Sequence, residues 1–360
     1  MKRTTVKYRT WNVVIPFISA SIFMMSCDDE KPTDTDTFDS SAILKNVSEN
    51  VITATYSDLH LAAEAMVTSF ENLQTSPTEA NLEIAKQKWR DARVFWEQSE
   101  GFLFGPVATK AIDPAIDSWP VNVVDLENVL SGTETLTKEY IDGLEGTLKG
   151  FHTIEYLIWG ADGNKTVDAI TDREFEYLIS LANSLESETE ILFTSWDASG
   201  ENFQDNITLA GQSASIYPSQ KSAMQELING MIGIADEVAN GKINDPLTTG
   251  DVTLEESRFS ANSKADFADN IRSIQNTWSG NYGTGGNGNG VKDFVANFDQ
   301  ALADELEADI QEAIDDIENI TGTFTEAIFA NPEEIEHAQE MILDVKLHLE
   351  SEVLPLLDEL

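Results

Sequence analysis

The 360-residue sequence predicts an all-α protein, on three observations. From residue 41 onward apolar residues recur at three- and four-residue intervals, the period of a helix with one buried face. Helix-start signatures stand at the head of several of these stretches. No run alternates apolar and polar residues as a half-buried strand does.

The elements follow in order. The first amphipathic pattern begins at residue 41 and carries His60 between Leu59 and Leu61. Ser76-Pro77-Thr78-Glu79 reads as a capping box with proline at the first helical position. Beyond it Leu82, Ala85, Trp89, Ala92 and Trp96 keep the three-four spacing. Thr171-Asp-Arg-Glu174 is a second box, opening a long helix toward Trp196. Residues 293–320 place Phe294, Phe298, Leu302, Leu306, Ile310, Ala313 and Ile317 on one face. Asn331-Pro-Glu-Glu334 opens a last helix, with Ile335, Ala338, Ile342, Val345 and Leu349 on its apolar side. Two stretches interrupt the pattern. Residues 200–218 lack helical periodicity and mark a domain boundary near residue 210, dividing 41–210 from 211–360. Ser279 to Gly290 is glycine-dense; no G-x-x-x-x-G-K-[ST] follows it, so it reads as a flexible connection between helices rather than a phosphate cradle.

The N-terminus is a separate matter. Lys2, Arg3, Lys7 and Arg9 precede an apolar run from Val13 to Met25, too short to span a bilayer and suited to a signal peptide over residues 1–26. Ser26-Cys27 then resembles a bacterial lipobox, which makes Cys27 the acylated first residue of a protein anchored in the cell envelope by lipid. The alternative is an ordinary secretory signal with an unrelated cysteine. Residues 27–40 are polar and acidic, a flexible tether. Removing residues 1–26 takes four basic residues and no acidic ones, leaving 18 against 64 and a net charge of −46. That charge excludes nucleic acid and anionic membrane surfaces as partners and draws cations. With one cysteine, no disulfide forms within the chain.

Candidate chemistry centres on Gly150-Phe-His-Thr-Ile-Glu-Tyr-Leu-Ile-Trp-Gly160. In a helix, His152 and Glu155 share a face one turn apart, and the apolar neighbours carry the pair inward. A buried carboxylate needs a metal, a cation or hydrogen bonds around it. A mutually satisfied structural pair is the competing reading. Gly150 lets another backbone approach closely. The remaining histidines, His60, His337 and His348, read as helix-surface or core residues, the last two pairing with Glu334, Glu340 or Asp344. No H-E-x-x-H occurs, which excludes a zincin-type peptidase, while His152 and Glu155 with a distant third ligand stay open. No G-x-S-x-G nucleophile elbow occurs either. Arg93 lies one turn from Glu97, and its neighbours Ala92, Val94 and Phe95 with two tryptophans place it half-buried. Trp119, before Pro120, floors a pocket or joins the core.

Gly150-x-His152-x-x-Glu155 resembles the G-x-H-x-x-E signature of the imelysin family, also known as insulin-cleaving metallopeptidases or iron-regulated-protein-A-like proteins. Trp89-Arg-Asp-Ala-Arg-Val-Phe-Trp96 with Glu100-Gly-Phe-Leu-Phe-Gly-Pro106, Asp113-Pro-Ala-Ile-Asp-Ser-Trp-Pro120, Glu256-Ser-Arg-Phe-Ser260 and Asp266-Phe-Ala-Asp-Asn-Ile271 are similar to its other stretches, in order. The resemblance implies two helical bundles of related shape. It carries Glu100 over as part of the family's most regular segment, and implies that Glu256, Ser257 and Ser260 face His152 across a cleft. It also implies an iron-uptake role beside outer- or inner-membrane iron-transport components. The expectation is a site at the interface of the two domains, His152 and Glu155 assisted by Glu100 and Arg93, holding a divalent metal, iron or zinc, or a metal-bearing ligand. One histidine with carboxylates suits Fe²⁺, Mn²⁺ and Zn²⁺ alike. The alternative that the family's name implies is a metallopeptidase with His152 and Glu155 as metal ligands.

Overall fold

A computed structural model describes residues 38–283 and 288–360, and among them every regular element is a helix. Cys27, the signal peptide and most of the tether lie outside the described residues. Four long helices belong to the first half: α1 (Thr53–Thr75), α2 (Glu79–Glu97), α3 (Gly150–Trp159) and α4 (Asp172–Trp196). Four more belong to the second: α5 (Gln220–Glu237), α6 (Ser263–Ser279), α7 (Gln300–Asn319) and α8 (Pro332–His348). In the first half α1 packs on α2 and α4; in the second α5 and α7 pack on α6 and α8. This grouping is compatible with two bundles, although the described residues form one compact unit. The seam is where α2 and the 3-10 turn Glu100–Phe102 meet α5 and α6. Backbones touch there, because a Cβ on Gly230 would collide with the Gly101 carbonyl oxygen.

The helix boundaries follow local chemistry, with some differences from the sequence reading. The capping box at Thr171 and Glu174 forms as expected. The helix expected to start at Ser76 starts instead at Glu79. Thr78 caps it by accepting the Asn81 N–H at 3.2 Å, and Pro77 lies outside. Asn331 precedes α8 without a side-chain cap, and the Glu334 carboxylate accepts the Thr321 N–H at 2.6 Å instead of completing a box. The apolar stretch over 293–320 is two helices, Val291–Phe298 and α7, broken at Asp299, whose carboxylate caps α7 through the Ala301 and Leu302 N–H groups. Residues 200–218 contain one short helix, Gln204–Thr208. At the end of the expected tether, Phe38 already packs edge-on against Phe294 and the Ser40 N–H donates to Gln220 Oε1 at 2.7 Å.

Two features position the interior. Gly150 opens α3 at φ +77°, and a Cβ there would collide with the Ile116 carbonyl oxygen. The chain ending the short helix Asp113–Ile116 therefore lies directly against the start of α3. The second feature is a π-helical turn, Val238–Ile243, between α5 and the short helix Asn244–Thr249. Similar turns occur at Val47–Ile52 and Leu349–Val353. The turn at Val238–Ile243 carries Lys242 into the interior, where it is 1% exposed.

Candidate functional site

Charged side chains from both halves meet at the seam. Helix α2 supplies Arg93 and Glu97, the turn after it Glu100, the end of Asp113–Ile116 Asp117, and α3 His152 and Glu155. From the second half come Lys242, then Glu256, Ser257 and Ser260 in the loop before α6, then Asp266 and Asn270 on α6. Ser257 holds a left-handed conformation at φ +51°, which lets this loop turn both Glu256 and Ser260 inward. All of these residues are buried.

Arg93 is the hub of one side. Its guanidinium contacts Asp117 and Glu97, reaches Glu256 Oε1 at 3.0 Å and lies 3.4 Å from Asp266 Oδ1. Lys242 is the hub of the other. Its ammonium donates to Glu100 Oε2 at 2.7 Å, lies 3.1 Å from Glu256 Oε2 and 3.5 Å from Glu97 Oε2, and sits over the Trp119 ring. Asn270 Nδ2 joins Glu97 to Glu100. His152 stands between the two hubs. Nδ1 faces Glu155 Oε2 at 3.3 Å; Nε2 faces Asp117 Oδ1 at 3.1 Å and Glu256 Oε1 at 3.6 Å.

Six carboxylates, those of Glu97, Glu100, Asp117, Glu155, Glu256 and Asp266, thus surround two permanent cations and one imidazole. Burial alone would raise every acid, and the neighbours decide which ones escape. Burial opposes ionisation of Asp117, but Arg93 and then His152 outweigh it and hold the group well below the carboxylate range. Glu256 is likewise lowered against burial, by Lys242, the His152 hydrogen bond and Arg93. Burial wins at Glu100, which is pushed well above its ordinary value with Asp117 and Glu256 adding to the shift. Asp266 is pushed by burial to about 6, although Arg93 opposes the rise. Burial would lower His152, yet Asp117, Glu155 and Glu256 together raise it well above 6.5.

The residues expected from sequence arrive here with different duties. His152 and Glu155 do pair, but Glu155 also accepts the Ser260 N–H and Oγ–H, both at 2.7 Å, so it anchors the imidazole to the second half of the chain. Glu256 faces His152, and Arg93 and Glu100 sit within the same network. Arg93 is fully buried rather than half-buried and meets three carboxylates besides Glu97. Trp119 is half-buried, its ring 6.1 Å from that of His152. Sequence reasoning did not place Glu97, Asp117, Lys242, Asp266 or Asn270 in the site. Asp117 was visible only as part of the Asp113…Trp119-Pro120 segment, and Lys242 only as a lysine among small and apolar neighbours. The other histidines lie elsewhere: His60 is near Glu64 and Glu186, at 4.0 and 3.8 Å, and His348 is near Asp309. His337 pairs with Asp316 of α7 rather than within its own helix.

Asp117, His152 and Glu256 offer one nitrogen and two oxygens within 4.8 Å of one another. Ligands about 2.0–2.2 Å from a tetrahedral ion stand roughly 3.3–3.6 Å apart, close to the spacings around Nε2. His152 Nε2 is buried and makes no well-aligned hydrogen bond. Glu256 Oε1 already accepts from Arg93 and, at 3.3 Å, from Lys242, and Asp117 Oδ2 accepts the Trp96 Nε1–H at 2.6 Å; with two acceptor positions per oxygen, one stays open on Asp117 Oδ2 and on Glu256 Oε2. In number and type this donor set is compatible with a divalent ion, which would share Asp117 and Glu256 with Arg93 and Lys242.

Comparison with known proteins gives a consistent picture. The Imelysin family profile matches residues 52–351. Iron-regulated protein A of Synechococcus elongatus is 29% identical over 323 residues, covering 86% of this chain and 84% of the relative. A solved structure assigned as an iron-regulated protein A precursor from Parabacteroides distasonis superposes with a TM-score of 0.78 at 26% identity, over 91% of this chain and 96% of that one. An Imelysin-like protein from Psychrobacter arcticum shares the fold, with a TM-score of 0.73 at 12% identity over 90% and 96% of the two chains.

Proposed function

Because the chain belongs to the imelysin family, we propose that it is a metal-binding protein of the cell envelope that holds iron or another divalent cation in an uptake role. One observation carries this reading: buried carboxylates outnumber buried cations and converge on His152, an excess of negative charge that a divalent ion would neutralise. The names of two relatives point to iron. Asp117, His152 Nε2 and Glu256 would hold the ion. Glu155 and Ser260 fix the ring, and Arg93 and Lys242 fix the carboxylates. In this reading Cys27 tethers the body to a membrane by lipid, and the acidic surface raises the local cation concentration.

The burial of the three donors favours an ion over a polypeptide as ligand. Asp117, His152 and Glu256 are at most 3% exposed, out of reach of a peptide bond without a large rearrangement. Elemental analysis and titration calorimetry on the wild type and His152→Ala test the proposal, beside protease assays with and without chelator. The wild type should take up about one equivalent, with a 10–100-fold or greater loss of affinity in the variant. Unchanged affinity in His152→Ala, together with a large fall in thermal midpoint, would reduce the cluster to a structural network. Chelator-sensitive proteolysis would restore the peptidase reading. For the tether, Cys27→Ser should move the protein from the membrane to the soluble fraction, and a variant that still pellets with membranes at high salt argues against acylation.

A further inference from the structure

A cavity of about 290 Å³ opens on the surface beside the seam, lined among others by Glu100, Glu226, Asn229, Gly230, Gly233 and Glu237. Its floor matters most. Glu100 is 5% exposed and lines the cavity, yet its Oε2 accepts from Lys242 at 2.7 Å. Lys242 in turn lies 3.1 Å from Glu256 Oε2, and Glu256 Oε1 lies 3.6 Å from His152 Nε2. The cavity wall and the candidate ion site are therefore linked by two carboxylates and one lysine, with no apolar layer in that chain of contacts.

The near wall of the cavity is one face of α5. Glu226, Gly230, Gly233 and Glu237 fall at intervals of four, three and four, so they form a single stripe along the helix. The acids stand at its two ends and the glycines leave the middle low. Gly230 is closed against the Gly101 backbone, whereas a Cβ at Gly233 would meet nothing within 4 Å. Glu237 also acts electrostatically on Lys242, so the outer acid and the inner lysine share one field. His152 Nε2, 3.1 Å from Asp117 Oδ1 and 3.6 Å from Glu256 Oε1, is the ring nitrogen toward which this chain of contacts leads.

We propose that this cavity is the entrance through which a divalent cation reaches the buried site, with Glu226 and Glu237 drawing the ion in and Lys242 as the inner gate. The inference rests on the metal-binding reading and adds the route to it. An acidic cleft with low-dielectric walls concentrates cations and speeds their arrival in a salt-dependent way. Lys242 has a flexible stem and a compact ammonium already over the Trp119 ring, a contact it can keep as it leaves Glu100 and Glu256 when a second positive charge arrives.

A route changes rates and leaves equilibria alone, which makes it separable from the site. Trp119 supplies the readout, since its ring lies 6.1 Å from His152 and Co²⁺ quenches a nearby indole. Stopped-flow quenching by Co²⁺ is measured on the wild type, on Gly233→Phe, which places a ring in the open mouth, and on Glu226→Gln/Glu237→Gln. The expected result is a fall of about tenfold in loading rate for each variant, with unchanged final occupancy and circular dichroism. The double variant should also lose most of the wild type's ionic-strength dependence. Loading of both variants at the wild-type rate overturns the route while leaving the site standing. No Co²⁺ uptake by the wild type, measured by equilibrium dialysis, overturns the metal-binding reading and the route with it.

Discussion

Replacing Arg93 by methionine tests whether the interior is organised by charge. The guanidinium is fully buried and meets Asp117, Glu97, Glu256 and Asp266. Methionine keeps much of the volume against Phe151, whose ring lies 5.1 Å from the guanidinium, while the four acids lose their shared counter-ion. Removing one partner of a buried pair costs about 3–5 kcal/mol, and in a chain this long each kcal/mol lowers the thermal midpoint by roughly 2 °C. The expected fall at pH 8 is therefore about 6–10 °C. Its pH dependence distinguishes the cause. Asp117 and Glu256 are held below their ordinary values partly by Arg93, so each contributes stability that is present above its unfolded pKa and lost as pH falls through the folded one. Without Arg93 both rise, a proton can neutralise them in mild acid, and the deficit should narrow from pH 8 to pH 5. Melts by circular dichroism at three pH values suffice. An unchanged midpoint, or a deficit equal at pH 5 and pH 8, would show that packing rather than charge is at stake.

Three further outcomes are expected. Gly150→Ala places a Cβ against the Ile116 carbonyl at φ +77° and should cost at least about 2 kcal/mol in urea denaturation; a variant as stable as the wild type refutes the close approach. His152 has a raised folded pKa, so its contribution to metal-free stability is complete below pH 6.5 and is lost as pH rises through that higher value. Metal affinity should climb over the same window as the proton leaves, and an NMR titration of the ring with a midpoint near 6.5 contradicts both statements. Ser260→Ala removes one of two hydrogen bonds to Glu155 Oε1 and should lower stability by about 1–3 kcal/mol and metal affinity by about 10–100-fold; calorimetry giving wild-type affinity would free the ring from this anchor.

Local chemistry was readable and distant chemistry was not. His152 and Glu155 announce themselves because a three-residue separation in a helix puts both on one face, and the Thr171 capping box works because its partners are three residues apart. The start at Ser76 was misplaced by a choice between two hydroxyl residues on either side of Pro77; Thr78, not Ser76, caps the helix by accepting the Asn81 N–H. Lys242 meets Glu100 across 142 positions and Arg93 meets Glu256 across 163. No periodicity encodes such pairings; they exist only once α2, α5 and α6 have met. Asp117 shows the difference within one segment. Its sequence neighbours suggested a motif, but its duty depends on Gly150 admitting the chain beside α3.

The π-helical turn at Val238–Ile243 has a consequence for how this interior can change. Each residue of an α-helix advances the side chain by about 100°, so a turn holding one extra residue rotates everything after it by about that angle. Deleting Asn240 and closing the turn to an ordinary α-helix would rotate the lysine relative to α5 while leaving its identity intact. The net charge of the cluster would then shift by one unit through chain length alone. Insertions and deletions in this helix, which composition and side-chain comparison overlook, can therefore retune the number of cations the acids require from outside.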